Sequence, residues 1–173
     1  MSSHTLSVRL ENKPGALARV SQLFSRRGYN IHSLAVGPTE HPDISRLTLR
    51  VDCSEHSLEQ IEKQMHKLVN VLRVNELCAK DAVERELALV TVASPPGARA
   101  DLLAAARVSG AAVVDFSDDA ITFQIVARPE DVDAFEELLR PHGIRELART
   151  GRIGLRRPHS NQNGNRNGKD PNG

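Results

Sequence analysis

The sequence predicts an α+β chain made of two consecutive βαββαβ units, with a tail that belongs to neither. Three observations predict it. Short apolar runs alternate or recur at helical spacing in the order strand, helix, strand, strand, helix, strand. The same order returns about 80 residues later, which sets each unit at the lower end of domain sizes. The last stretch, SNQNGNRNGKDPNG, carries no apolar side chain and is dominated by Asn and Gly. Such a segment cannot bury enough surface to offset its ordering entropy, so 158–173 is expected to be disordered.

In the first unit, residues 4–10 alternate and set Leu6, Val8 and Leu10 on one face of a strand. Residues 11–15, ENKPG, are turn chemistry. Leu17, Val20, Leu23 and Phe24 then recur at helical spacing until Gly28 stops the helix. Residues 30–37 form a second strand and 38–43 a hairpin-like connection. Residues 45–53 form a third strand with Leu47, Leu49 and Val51 on one face. Ser57 is the expected N-cap of a helix carrying Leu58, Ile61, Met65 and Leu68. Residues 71–77 close the unit as a fourth strand. A charged, weakly patterned hinge is expected at 79–84.

The second unit repeats the plan. Residues 87–93 are a strand and 98–108 a helix closed by Gly110. Residues 111–116 and 120–127 are strands around the turn at 117–119. Residues 130–139 are a helix and 144–148 the final strand. The expected domains are therefore 4–78 and 84–157, each a split βαβ, ferredoxin-like unit.

Composition removes several classes of function. Aromatics make up 3% of the chain and Trp is absent, which argues against aromatic base-stacking platforms. A formal net charge of +1 offers no footprint for nucleic acid or an acidic membrane. No apolar run approaches the roughly 18–20 residues needed to span a bilayer. The first residues lack the basic and apolar regions of a signal peptide. Cys53 and Cys78 make neither a metal cluster nor a disulfide framework, and inert, reduced thiols in a cytoplasmic chain are expected.

The motifs of catalysis are missing as well. The chain has no G-x-S-x-G, P-loop, H-E-x-x-H or strand-borne G-x-G-x-x-G. His41-Pro42-Asp43 matches a co-chaperone tripeptide that joins two helices, but here it falls between two strands and reads as a solvated turn. His32, His56 and His66 are scattered without completing a ligand set.

The loop from Asn12 to Leu17 carries more information. It leads from a strand into a helix, so the amides of Gly15, Ala16 and Leu17 are expected at a helix N-terminus, where the dipole favours a carboxylate or phosphate. Pro14 has the φ suited to helix entry. Gly15 lets an anion approach the backbone, and Asn12 can cap the helix or accept from a ligand ammonium. A capped helix start with no ligand explains the same residues. The second strand, NIHSLAVG, lies at a sheet edge in this topology and has no Lys, Arg or Pro to block pairing. A second copy could continue the sheet across a two-fold axis; the alternative is that the chain's own second half covers the edge.

Several blocks together make the chain recognisable. They are LENKPGAL (10–17), FSRRGYNI (24–31), SRLT (45–48), LEQIEKQMHKLVNVLRV (58–74), VEREL (83–87) and ARTGRIGL (148–155). Residues 4–78 resemble an ACT domain, and the whole chain up to the tail resembles the regulatory small subunit of acetolactate synthase (acetohydroxyacid synthase). The resemblance implies a non-catalytic subunit in valine, leucine and isoleucine synthesis, which stimulates a catalytic large subunit and confers feedback inhibition by valine. Thiamine diphosphate, Mg²⁺ and FAD would sit on the large subunit and none on this chain. The effector would lie between two ACT domains, on Asn12, Gly15, Ala16 and Leu17 of one and Asn30 and Ile31 of the other, in a homodimer paired through the edge strand. Two other readings stay open: a free-standing amino-acid sensor that controls transcription or another enzyme, and an enzyme on a ferredoxin-like scaffold. The absent helix-turn-helix weighs against the first and the absent acid–base set against the second.

Overall fold

The computed structural model describes residues 2–158, with Glu55 and His56 described by their backbone alone. The expected tail lies outside the described residues except for Pro158.

The first unit comprises β1 (Ser2–Glu11), α1 (Ala16–Arg27), β2 (Ile31–Pro38), β3 (Ile44–Cys53), α2 (Glu55–Met65) and β4 (Val71–Glu76). Its antiparallel sheet has the order β2-β3-β1-β4, which leaves β2 at an edge. Alternation decides which face is buried. Leu6, Val8 and Leu10 of β1 and Leu47, Leu49 and Val51 of β3 meet Val20 and Phe24 of α1 and Ile61 and Met65 of α2 in one core. Each such side chain contributes about 1.5–3 kcal/mol by leaving water. Gly28 ends α1 in the left-handed region at φ +69°, and the Tyr29 amide donates back to the Phe24 carbonyl.

The second unit comprises β5 (Ala82–Ala93), α3 (Arg99–Ser109), β6 (Ala112–Phe116), β7 (Ala120–Ala127), α4 (Pro129–Leu139) and β8 (Ile144–Arg149). Its order, β6-β7-β5-β8, repeats that of the first sheet position for position. Val90, Val92, Phe123 and Ile125 pack against Leu102, Phe135 and Leu139. The rings of Phe123 and Phe135 meet edge to face, with centroids 5.9 Å apart.

The segment after β8 joins the halves. Arg149 ion-pairs with Glu86 at 2.8 Å, Asp133 at 2.7 Å and Glu136 at 3.2 Å, which ties β8 to β5 and α4. Arg152 reaches Glu84 at 2.9 Å and approaches the Thr5 hydroxyl of β1 at 3.5 Å. Gly151 (φ +73°) lies so close to Ser33 of β2 that an added Cβ would stand 3.0 Å from the serine Cβ. On the face of the first sheet opposite its helices, Thr5, Ser7 and Thr48 are buried.

Several expectations need correction. A ninth strand, β9 (Ile153–Arg156), pairs with Ala82–Arg85 of β5, so β8 is not the last strand and 82–84 are not hinge. β5 thus begins five residues before the expected 87 and serves β9 with its front and β7 and β8 with its rear. Ser54, rather than Ser57, caps α2; its hydroxyl accepts from the Ser57 amide at 3.3 Å.

Candidate functional site

The loop between β1 and α1 is built as a tight turn. Lys13, Pro14, Gly15 and Ala16 form it: the Ala16 amide donates to the Lys13 carbonyl at 3.2 Å, and Gly15 sits at φ +82°, ψ −10°. These are the dihedrals of the third residue of a type II turn, a position that favours glycine. No other heavy atom lies within 4 Å of where a Gly15 Cβ would stand. The glycine is therefore set by backbone conformation and leaves open space beside the helix start.

Two expectations for this loop change. Ala16 is buried and spends its amide inside the turn. The amides left without an acceptor among the described residues are those of Gly15, Leu17 and Ala18. Asn12 is not the cap either. Its side-chain amide donates to the Pro42 carbonyl at 2.8 Å, and its backbone amide donates to Asp43 at 2.7 Å. Asn12 thus pins the loop to the β2–β3 connection, and its side-chain oxygen remains as the acceptor. Gly15 occupies the cap position without a side chain to cap with, and Pro14 stands in the turn, ahead of the first helical residue.

The electrostatics of the helix start follow from what is absent. α1 has no acidic residue in its first turn and carries Arg26 and Arg27 in its last. The basic end is therefore complemented and the amide end is not. The nearby carboxylate of Glu11 is already engaged by Asn70 at 2.7 Å and Lys13 at 3.1 Å, which hold its pKa below the usual carboxylate value, Asn70 most. The start of α1 is left as an exposed group of amide donors under a positive dipole end, an arrangement that suits an incoming carboxylate.

Asn30 and Ile31 stand elsewhere. α1 has 12 residues, so its two ends are about 18 Å apart, and Asn30 follows the far one. Within one chain these residues do not meet the loop. Asn30 is exposed, while Ile31 and Leu17 are half-buried against the first core. The strand register states the same separation: Pro38 is level with Ser45 and Leu10, whereas Ile31 is level with Val51 and His4.

Larger spaces lie between the halves. One cavity of about 560 Å³ has Ala35, Gly37 and Arg46 on one side and Val83, Arg85 and Leu155 on the other. Another of about 380 Å³ is polar and lined by Arg50, Glu86 and Arg149 among others. Neither includes a residue of the α1 loop. The sequence assigns no site to either cavity, although His32 and residues of the blocks 83–87 and 148–155 line them, because both depend on contacts between units. Among the described residues, no three His, Cys, Asp or Glu gather as a metal group, and no helix is long and apolar enough to cross a membrane.

A βαββαβ unit with an open edge strand and an unneutralised first helix, followed by a second unit of the same topology, defines an ACT-type regulatory chain. A family model for the "AHAS small subunit-like ACT domain" matches residues 6–73, and one for the "Small subunit of acetolactate synthase" matches residues 85–158. The acetolactate synthase small subunit of Mycolicibacterium smegmatis is 46% identical over 155 residues, covering 90% of this chain and 91% of the relative. A probable acetolactate synthase small subunit of Archaeoglobus fulgidus is 44% identical, covering 88% and 95%. The crystal structure of the acetolactate synthase small subunit from Thermotoga maritima superposes with a TM-score of 0.84 at 34% identity, covering 91% of this chain and 98% of that one. The chain belongs to the acetolactate synthase small-subunit family, and as such it is a regulatory, non-catalytic subunit.

Proposed function

We propose that this chain confers feedback control by valine on an acetolactate synthase large subunit, and that the start of α1 holds the effector. One observation carries the reading: the Gly15, Leu17 and Ala18 amides, without an acceptor among the described residues and with no acid in the first turn, form a ready seat for an amino-acid carboxylate. The Asn12 side-chain oxygen is placed to accept from the ammonium, and Leu17 offers an apolar neighbour for the isopropyl group. The large subunit, as the site of catalysis, would carry the thiamine diphosphate, Mg²⁺ and FAD, and the assembly would work in the cytoplasm. The regulatory unit is assigned to 4–78 and the second domain to 84–157 together with the start of β5 at Ala82 and Val83.

The second wall of the site comes from another copy. An antiparallel two-fold pairing of β2 strands centred between Leu34 and Ala35 sets the partner's Ile31 opposite Pro38. Pro38 is level with Leu10, at the mouth of the loop. The residues that one chain keeps a helix length apart are thereby brought to the same end of a shared sheet, twice per dimer. The free edge of β2 supports this pairing, with Val36 47% exposed on it.

The test combines the purified chain with its large subunit and follows pyruvate condensation with and without valine, beside sedimentation of the chain. Stimulation by the chain and inhibition by valine are expected. Val36→Lys, which charges an exposed edge position, should lower both the dimer fraction and valine sensitivity. A monomeric Val36→Lys chain that still confers full valine inhibition would remove the shared site. Stimulation without any valine response would leave a regulatory subunit with another effector.

A further inference from the structure

On the face of the first sheet opposite its helices, three arginines stand in one row. Arg46 of β3 is the register partner of Arg9 of β1, and Arg9 is the register partner of Arg73 of β4. Like charges placed directly opposite on neighbouring strands repel. Little in the chain offsets them. Glu40 lies 3.6 Å from Arg9 on an exposed loop, while Arg46 donates to the neutral Ser7 hydroxyl at 3.2 Å and Arg73 to the neutral Asn75 side chain at 3.3 Å. Among the described residues, Glu40 acts on Arg9 and Arg46, and no ion pair is formed by Arg73. Burial, and then the neighbouring Arg9, push the Arg46 guanidinium below its ordinary value, so the row is a strained concentration of charge.

The row runs into the 560 Å³ cavity between the halves. Arg46 lies on its first-sheet side together with Glu40, whose carboxylate already faces Arg9 at 3.6 Å, and Arg85 on the opposite wall adds a fourth cation. That wall is otherwise apolar: Val83, Ile153 and Leu155 line it and are 37%, 57% and 56% exposed. The volume falls within the range of about 300–1,000 Å³ common to small-molecule sites. Guanidinium forks match phosphate and carboxylate oxygens in geometry as well as charge.

We propose that this cleft binds a small organic anion with a doubly charged head, placed on Arg46 and Arg85, which face each other across it, and an apolar body against Val83, Ile153 and Leu155. The site is separate from the α1 loop, since no loop residue lines it. Binding relieves the cross-strand repulsion and joins β3 to β9, so the ligand bridges the two halves.

Calorimetric titration of the full chain with phenyl phosphate, phenylsuccinate and inorganic phosphate tests this. At least one of the two aromatic probes should bind one per chain, and the tighter of them names the head group as phosphate or dicarboxylate. Inorganic phosphate, lacking the body, should bind more weakly than phenyl phosphate. Arg46→Gln should weaken the better probe at least about tenfold through the loss of a charge-assisted contact. Arg9→Gln should raise the ligand-free melting temperature in low salt by removing the repulsion at the centre of the row. Should Arg46→Gln fail to fold, Arg85→Gln on the opposite wall must weaken the same probe severalfold. Failure of both aromatic probes to bind the unaltered chain overturns the proposal, as does binding unchanged in whichever variant folds.

Discussion

The loops that lead into α1 and α3 hold equivalent places in the two units and are built from similar residues, KPGA in one and PPGA in the other. Both close with an i→i+3 bond, from Ala16 to Lys13 and from Ala98 to Pro95. They differ in charge. The third helical residue of α3 is Asp101, whose carboxylate supplies the negative charge its helix start favours, whereas the third helical residue of α1 is the exposed Ala18 and the residue three after the turn is Arg19. Around α3, Arg99 also donates to the Ser94 hydroxyl and to the carbonyls of Ser117 and Asp118. Neither helix start has a side-chain cap, but α3 carries a first-turn charge from its own chain and α1 carries none. One topology used twice gives a stitched loop in one place and a receptive loop in the other, and the difference lies in a few side chains and in the backbone, since Gly15 is the left-handed N-cap of α1 whereas α3 is capped by Ala98 in the right-handed region.

The comparison can be broken most severely at Gly15. Gly15→Asp places a carboxylate among the open amides and should abolish valine inhibition of the reconstituted enzyme while leaving stimulation in place. Because φ is +82°, any side chain there also costs stability, about 1–2 kcal/mol, visible as a lower melting temperature. Gly15→Asn, which tolerates the left-handed region and carries no charge, should keep part of the valine response. Undiminished inhibition with Gly15→Asp would place the effector elsewhere.

A gentler change makes the first loop resemble the second. Ala18→Asp supplies the missing first-turn acid at an exposed position. It should stabilise the chain by about 0.3–1 kcal/mol and yet weaken valine binding severalfold, two effects of opposite value from one carboxylate. A melting temperature that rises with no change in the valine titration would show that the dipole end is not where valine sits.

The converse change is the smallest. Asp101→Asn should cost the second unit about 0.3–1 kcal/mol and leave both stimulation and valine inhibition as they were. An altered valine response there would mean that the second loop also senses the effector.

Much of the fold was legible because local sequence carries it. Gly28 and Gly110 stop α1 and α3 where the apolar spacing ends, and each sits in the left-handed region that a stop requires. β9 was illegible for the opposite reason. Ile153–Arg156 is too short to alternate convincingly, and its partner in β5 lies about 70 residues away in the sequence. The front of β5 was hidden with it, since 79–84 reads as a charged hinge until Arg152 is seen to pair with Glu84. At the α1 loop, Lys-Pro-Gly-Ala contains the whole type II turn signal, Pro second and Gly third. That signal was sufficient to foresee that Ala16 would spend its amide. The arginine row needed the register, which no single strand reveals.

The position of β9 has a consequence for how the chain is made. The contacts of the first core are complete by Val74, so that half can fold while the rest is still being synthesised. The seam needs Gly151 and Arg152, nearly the last described residues to emerge. During that interval the sheet face that will later be covered stands in water. An apolar face would be an invitation to aggregate over those seconds. Thr5, Ser7 and Thr48 are hydroxyl-bearing side chains that water can solvate until the second half arrives, so the composition of this face lets the first half wait safely for its neighbour.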